Sequence, residues 1–203
     1  MKTTCCIIAL ASSILVGAID NGLGRTPPMG WRSWNSLRDD VDQQKMEDVM
    51  DRLTQRNRSV DGRPTSLADL GYNYAGLDDN WQACGTGVHG SFHDADGNPL
   101  VNTQRFPSLA NMTAYGQARG LRVGWYLNNC ICSESMFKSA GEIASHMSRT
   151  AAAVARYGFD AVKLDGCGQF RNLTWWASLL NATGTPFVIE NCHIKINSNG
   201  RQR

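Results

Sequence analysis

Lys163 and Asp165 stand two residues apart in the stretch Phe159-Asp160-Ala161-Val162-Lys163-Leu164-Asp165-Gly166-Cys167. This apolar run with β-branched Val162, closed by Gly166, reads as a short buried strand that delivers Asp165 to its carboxyl-terminal lip. Residues two apart on a strand share a face, so Lys163 and Asp165 point one way while Val162 and Leu164 point the other. An ammonium favours the ionised form of a neighbouring carboxylate, and an ionised, oriented carboxylate can serve as a covalent nucleophile. The same pair can be a buried structural ion pair, and on these nine residues alone that is the better reading. The rest of the chain changes the balance.

The elements that must position this pair alternate along the chain. Apolar runs at Trp31 to Leu37, Tyr72 to Leu77, Leu121 to Leu127, around Val162, and at Pro186 to Ile189 predict five strands. Helical spacing recurs at Met46, Val49, Met50 and Leu53, and again at Leu109, Met112 and Tyr115 to Ala118. It returns over Glu142 to Tyr157, and at Leu173, Trp176 and Leu180. Such alternation argues for parallel βα units, either in an open doubly wound sheet or in a (β/α) barrel. No Gly-x-Gly-x-x-Gly follows the first strand, which weakens the dinucleotide-binding version.

Polar residues gather at successive strand ends: Trp34-Asn35, Asp78-Asp79, Asn128-Asn129, Asp165 and Glu190. Barrel enzymes build their sites on that rim, whereas an open sheet concentrates function near one switch point. The expected fold is therefore α/β, of the (β/α)8 TIM-barrel type, with only the first five strands and four helices present over residues 21–193. The segment 194–203 is polar and aperiodic, and disorder is expected there.

Carboxylates on this rim accept hydroxyl hydrogen bonds strongly, and an indole stacks on the apolar face of a sugar. Asp78-Asp79 with Trp34 and Trp81 offers both groups. Alone, each reads as a cap, a loop start or core packing; together on one rim they suggest a glycan pocket. Asp94-Ala95-Asp96-Gly97-Asn98 reads as a turn, since it lacks the remaining ligands of a calcium loop. A zinc site is disfavoured by the spacing of Cys130-Ile131-Cys132. No metal is expected.

A formal charge of +2 without a basic run speaks against nucleic acid. Met1 to Ala18 carries Lys2, an apolar run from Cys5 to Val16, and small residues at Val16-Gly17-Ala18. That is the pattern of a secretory signal peptide, too short for a membrane span, so no membrane association is expected once it is removed. Four sequons, at Asn57, Asn111, Asn172 and Asn181, fit a secreted glycoprotein, or one sent to a lysosome or vacuole. Without the signal, Cys84, Cys130, Cys132, Cys167 and Cys192 remain, an odd number for an oxidising compartment.

Five pieces in order carry a family resemblance. They are Thr26-Pro27-Pro28-Met29-Gly30-Trp31 with Trp34-Asn35, Leu77-Asp78-Asp79-Asn80-Trp81, Gln104-Arg105-Phe106-Pro107, Gly120-Leu121 with Gly124-Trp125-Tyr126, and Lys163-Leu164-Asp165-Gly166-Cys167. From about Asn21 to His193 the chain resembles the α-galactosidase (melibiase) family of retaining glycoside hydrolases. The resemblance implies that Asp165 is the catalytic nucleophile and that Trp34, Asp78, Asp79, Tyr126 and Lys163 hold the galactose. It also implies that Cys167 bonds to Cys132 or Cys130 and that Cys84 takes the other. The substrates implied are α-galactoside oligosaccharides or glycoconjugates, cleaved with retention and without a cofactor. A second carboxyl about 5 to 5.5 Å from the nucleophile is required in retaining enzymes.

In the family that acid/base carboxyl comes from a later strand, so the expectation is that it is absent from this chain. His193 stands where many relatives carry a glutamate. We expect the chain to be incomplete and inactive alone, with 194–203 a non-native tail; the alternative is a non-catalytic glycan-binding or interaction fragment of the same fold.

Overall fold

A computed structural model describes residues 21–132, 134–166 and 170–192. Met1 to Ala18, Cys167, His193 and the segment 194–203 lie outside the described residues. Five parallel strands form one sheet: β1 (Gly30–Arg32), β4 (Tyr74–Gly76), β5 (Arg122–Leu127), β6 (Ala161–Asp165) and β7 (Val188–Cys192), in that spatial order. Each new strand adds beside the last without a reversal, which is barrel progression and has no switch point. β2 (Arg58–Val60) and β3 (Arg63–Thr65) form a separate antiparallel hairpin. That segment is polar and Gly/Pro-punctuated in sequence, and with Thr65 the one buried residue of the two strands it has no apolar face to leave a period of two.

Five helices join the strands: α1 (Trp34–Leu37), α2 (Gln43–Thr54), α3 (Leu109–Gln117), α4 (Ala140–Arg156) and α5 (Leu173–Asn181). The last four are the expected ones. The first corrects the expected strand Trp31 to Leu37, which ends at Arg32 and turns into a single helical turn at Trp34. Side-chain caps start the others, with Asp42, Ser108 and Asn172 each accepting a backbone N–H from three residues on. Ser139 and Glu142 close a reciprocal capping box on α4, which starts that helix two residues before its apolar face is legible.

The strands' two faces divide the molecule. Ala75, Val123, Trp125, Leu127, Val162 and Leu164 point outward and are buried against Met46, Met50, Met112, Met147 and Val154 of the helices. Full burial of each Val, Leu or Met among them contributes about 1.5–3 kcal/mol. The inward face is different: Arg32, Tyr74, Lys163 and Glu190 meet there. Arg32 of β1 reaches Glu190 of β7 at 2.5 Å, so the first and last strands of the sheet touch through the interior. The sheet is curled, as part of a barrel must be.

That interior has room because Arg32 lies in register with Gly76, Gly76 with Gly124, and Gly124 with Ala161. A Cβ on Gly76 would stand 2.8 Å from the Arg32 guanidinium carbon, and one on Gly124 would overlap the Tyr74 hydroxyl. Gly124→Ala is therefore expected to cost about 1–3 kcal/mol through overpacking. Urea unfolding checks this; an unchanged midpoint would mean that Tyr74 does not cross the interior.

Candidate active site

Asp165 is the last residue of β6, and its side chain is about a quarter exposed (23%). Oδ1 accepts the Gly166 N–H at 2.6 Å, and Oδ2 accepts the Tyr126 hydroxyl at 3.1 Å. Lys163 Nζ lies 3.6 Å from Oδ2. Lys163 is closer to another partner, Asp78 Oδ2, at 2.8 Å. Its ammonium thus stands between two carboxylates rather than beside one. Burial, with the charges of Asp79, Asp165 and Asp78 adding to it, pushes the Tyr126 phenol well above its ordinary range. Tyr126 stays protonated and donates.

Asp78 and Asp79 follow β4 and are both buried (2% and 1% exposed). The Asp78 N–H donates to Ser33 Oγ at 2.9 Å, which ties this loop to the end of β1. Asp79 is held from all sides. Its Oδ2 accepts the N–H groups of Cys130 and Ile131, both at 3.0 Å. Its Oδ1 accepts the Asn80 N–H at 2.9 Å and the Gln82 amide at 2.7 Å. A carboxylate has about four acceptor sites, so protein donors fill Asp79.

Trp34 opens α1 beside Ser33 and is 37% exposed, leaving indole surface free. Trp81, which the sequence paired with it, is fully buried. It tilts against Trp125 at 4.4 Å and donates its indole N–H to the Tyr126 carbonyl at 2.9 Å. Trp81 is core and has no face to offer a sugar. Asp94 likewise closes a turn, accepting the N–H groups of Asp96 and Asn98.

Glu190 also departs from expectation. The strand runs on to Cys192, so Glu190 is not at its tip; it is paired in register with Lys163, two residues before the level of Asp165. It points inward and takes the Arg32 guanidinium and the Tyr74 hydroxyl. Sequence reasoning passed over Arg32 and Tyr74. The available signal was their position on strands already identified, two residues apart in register from inward-facing groups.

Cys84 and Cys132 are bonded, 48 residues apart. Cys130 is also in a disulfide, its sulfur 2.8 Å from the Tyr126 hydroxyl, while Cys167 falls outside the described residues. Cys192 is a free thiol. Among the described residues no cluster of His, Cys, Asp or Glu could hold a metal, and no helix is long and apolar enough to cross a membrane.

With this geometry in view, the comparisons are decisive on lineage. The family model Melibiase_2, described as alpha galactosidase A, matches residues 26–201. The chain belongs to the melibiase family. An alpha-galactosidase from Cyamopsis tetragonoloba is 34% identical over 151 residues, covering 73% of this chain and 32% of the relative. An alpha-N-acetylgalactosaminidase from Gallus gallus is 31% identical over 183 residues, covering 84% and 42%. The crystal structure of alpha-galactosidase I from Mortierella vinacea superposes with a TM-score of 0.65 at 26% identity, covering 85% of this chain and 42% of that one. This melibiase-family chain thus spans 32–42% of the length of these relatives, and the shared part is the partial TIM barrel.

Behind the rim lies a second buried group. Glu134, 6% exposed, is pushed up to about 8 by burial, with its bond to Asn129 opposing and the Asp79 charge reinforcing. His93 lies 3.6 Å away, too far for a hydrogen bond, and burial followed by His146 lowers it to about 3. Both are neutral near pH 6, so their proximity is not an ion pair. A carboxyl raised in the folded state stabilises the fold at acid pH and loses that contribution as pH climbs from its ordinary 4.5 toward 8. Relative to Glu134→Gln, the parent chain is expected to lose ~5 kcal/mol of unfolding free energy across that window. Denaturant titrations at several pH values test it; parallel curves would mean that Glu134 ionises freely.

Proposed function

We propose that this chain carries the nucleophile half of an α-galactosidase-type glycoside hydrolase acting on terminal α-D-galactose with retention. The observation that carries the reading is Asp165 at the strand tip, with one oxygen facing the Tyr126 hydroxyl at 3.1 Å and the Lys163 ammonium at 3.6 Å. In this reading an Asp165 oxygen bonds to the anomeric carbon as the glycosidic C–O bond breaks. The leaving oxygen takes a proton from a second carboxyl, and water later releases the sugar from Asp165. Trp34, Asp78, Asp79, Tyr126 and Lys163 hold the sugar, with Asp79 sharing oxygens already bound by backbone donors. Glu190 is engaged by Arg32 and Tyr74 below the level of Asp165. Proton delivery therefore falls to a different carboxyl.

The substrates proposed are α-galactoside oligosaccharides or glycoconjugates. The Cys84–Cys132 bond supports an oxidising compartment. So does the exposure of Asn57, Asn111, Asn172 and Asn181, which leaves all four sequons open to glycosylation. A secreted, lysosomal or vacuolar glycoprotein is the localisation we infer.

The full chain should be assayed on an aryl α-galactoside. An activated aryl leaving group departs without a proton donor, so this substrate is expected to be turned over even by the nucleophile half alone, and that turnover should fall by roughly 10³-fold or more in Asp165→Asn. Galactose binding without turnover in the parent chain would replace this reading with that of a non-catalytic glycan-binding fragment.

A further inference from the structure

Five charged side chains share the curled interior and its rim: Arg32, Asp78, Lys163, Asp165 and Glu190. They form a chain of contacts. Glu190 of β7 binds Arg32 of β1 at 2.5 Å, Arg32 lies 3.7 Å from Asp78 Oδ2, Asp78 binds Lys163 at 2.8 Å, and Lys163 lies 3.6 Å from Asp165. Tyr74 closes the inner end, its hydroxyl accepting from Arg32 at 3.1 Å and donating to Glu190. Tyr126 closes the outer end on Asp165.

We propose that Arg32, held by Glu190 and Tyr74, is a positioning residue that sets how Lys163 is divided between Asp78 and Asp165. Arg32 and Lys163 approach the same oxygen of Asp78, so they compete for one acceptor. Glu190 holds Arg32 back from that oxygen and leaves Lys163 in possession of it. Remove the Arg32 cation, and Asp78 draws Lys163 more strongly, away from Asp165. Remove the Glu190 charge, and Arg32 turns toward Asp78 and releases Lys163 toward Asp165. The space this requires is built in, because Gly76 and Gly124 stand where any side chain would strike Arg32 and Tyr74.

The groups facing Asp165 are Tyr126 from β5, Lys163 from β6 and, through Lys163, Asp78 from the loop after β4; the charge of Asp79 acts on the Tyr126 phenol. Facing Glu190 are Arg32 from β1 and Tyr74 from β4. With these partners, the two single changes should act in opposite directions.

The test uses the full chain with Arg32→Met, Glu190→Gln and the double variant. Crystal structures are expected to show the Lys163–Asp165 separation longer in Arg32→Met, shorter in Glu190→Gln, and as long in the double variant as in Arg32→Met, because Glu190 acts through Arg32. The consequence for turnover rests on the glycosidase reading above. The acid limb of the pH profile of kcat/KM should move up by about half a pH unit in Arg32→Met and down by a similar amount in Glu190→Gln, with the double variant following Arg32→Met. If Arg32→Met does not fold, Arg32→Lys, which keeps the charge but loses the two-partner fork, should lengthen the same separation by less.

An unchanged separation, or a shift of both single variants in one direction, overturns the proposal even where the parent chain turns over. A parent chain without turnover removes the glycosidase reading instead, and the structures still decide the role of Arg32.

Discussion

An ammonium shared by two carboxylates is the interaction on which the interior of this half-barrel depends. Lys163 projects from a strand whose outer face is wholly apolar, into a space where an unpaired charge would be costly to desolvate. Asp78 compensates that charge at 2.8 Å, and Asp165 stands at 3.6 Å. Asp78 has a second cation nearby in Arg32, and Arg32 has its own counterion in Glu190. Charges thus alternate in sign from one edge of the sheet to the tip of β6. Removing a cation from the middle, Arg32 or Lys163, takes away a close partner of a carboxylate, which is the expensive way to disturb such a network.

The same network explains the unusual makeup of the strands. A barrel core is ordinarily filled by bulky branched side chains in layers. Here one layer is Gly76, Gly124 and Ala161, and the volume they leave is taken by long polar side chains from neighbouring positions. Hydrophobic stabilisation is moved to the outer face, where Trp125 stacks on Phe159 at 4.9 Å and Trp81 packs edge-on to Phe92. The fold separates its labour: helices and outer strand faces supply cohesion, and the inner face carries the charged groups.

The rim shows a similar separation between two adjacent acids. Asp78 faces inward toward cations, while Asp79 gathers four donors from its own loop and from the disulfide-bearing loop after β5. Neighbouring residues of one type therefore have different tasks. Asp79 fixes the walls of the site, and beneath them Gln82 and Asn129 connect it to buried Glu134. None of this is visible in a pair of consecutive aspartates.

Much was legible beforehand. Apolar runs and helical spacing located all five sheet strands and the four longer helices, because each has a face that must leave water. The motifs around Asp78, Tyr126 and Asp165 pointed to a sugar-cleaving lineage, since few other chemistries need those types in that order. What sequence alone determined was which residues face inward and which lineage they belong to: both are local properties of spacing and residue type. Which acid binds which base was decided only when the sheet curled. Arg32 and Glu190 are 158 residues apart and on opposite edges, and no pattern along the chain records a contact made across a closed interior. Trp81 and Glu190 were misplaced for that reason, one in the core and one beneath the rim.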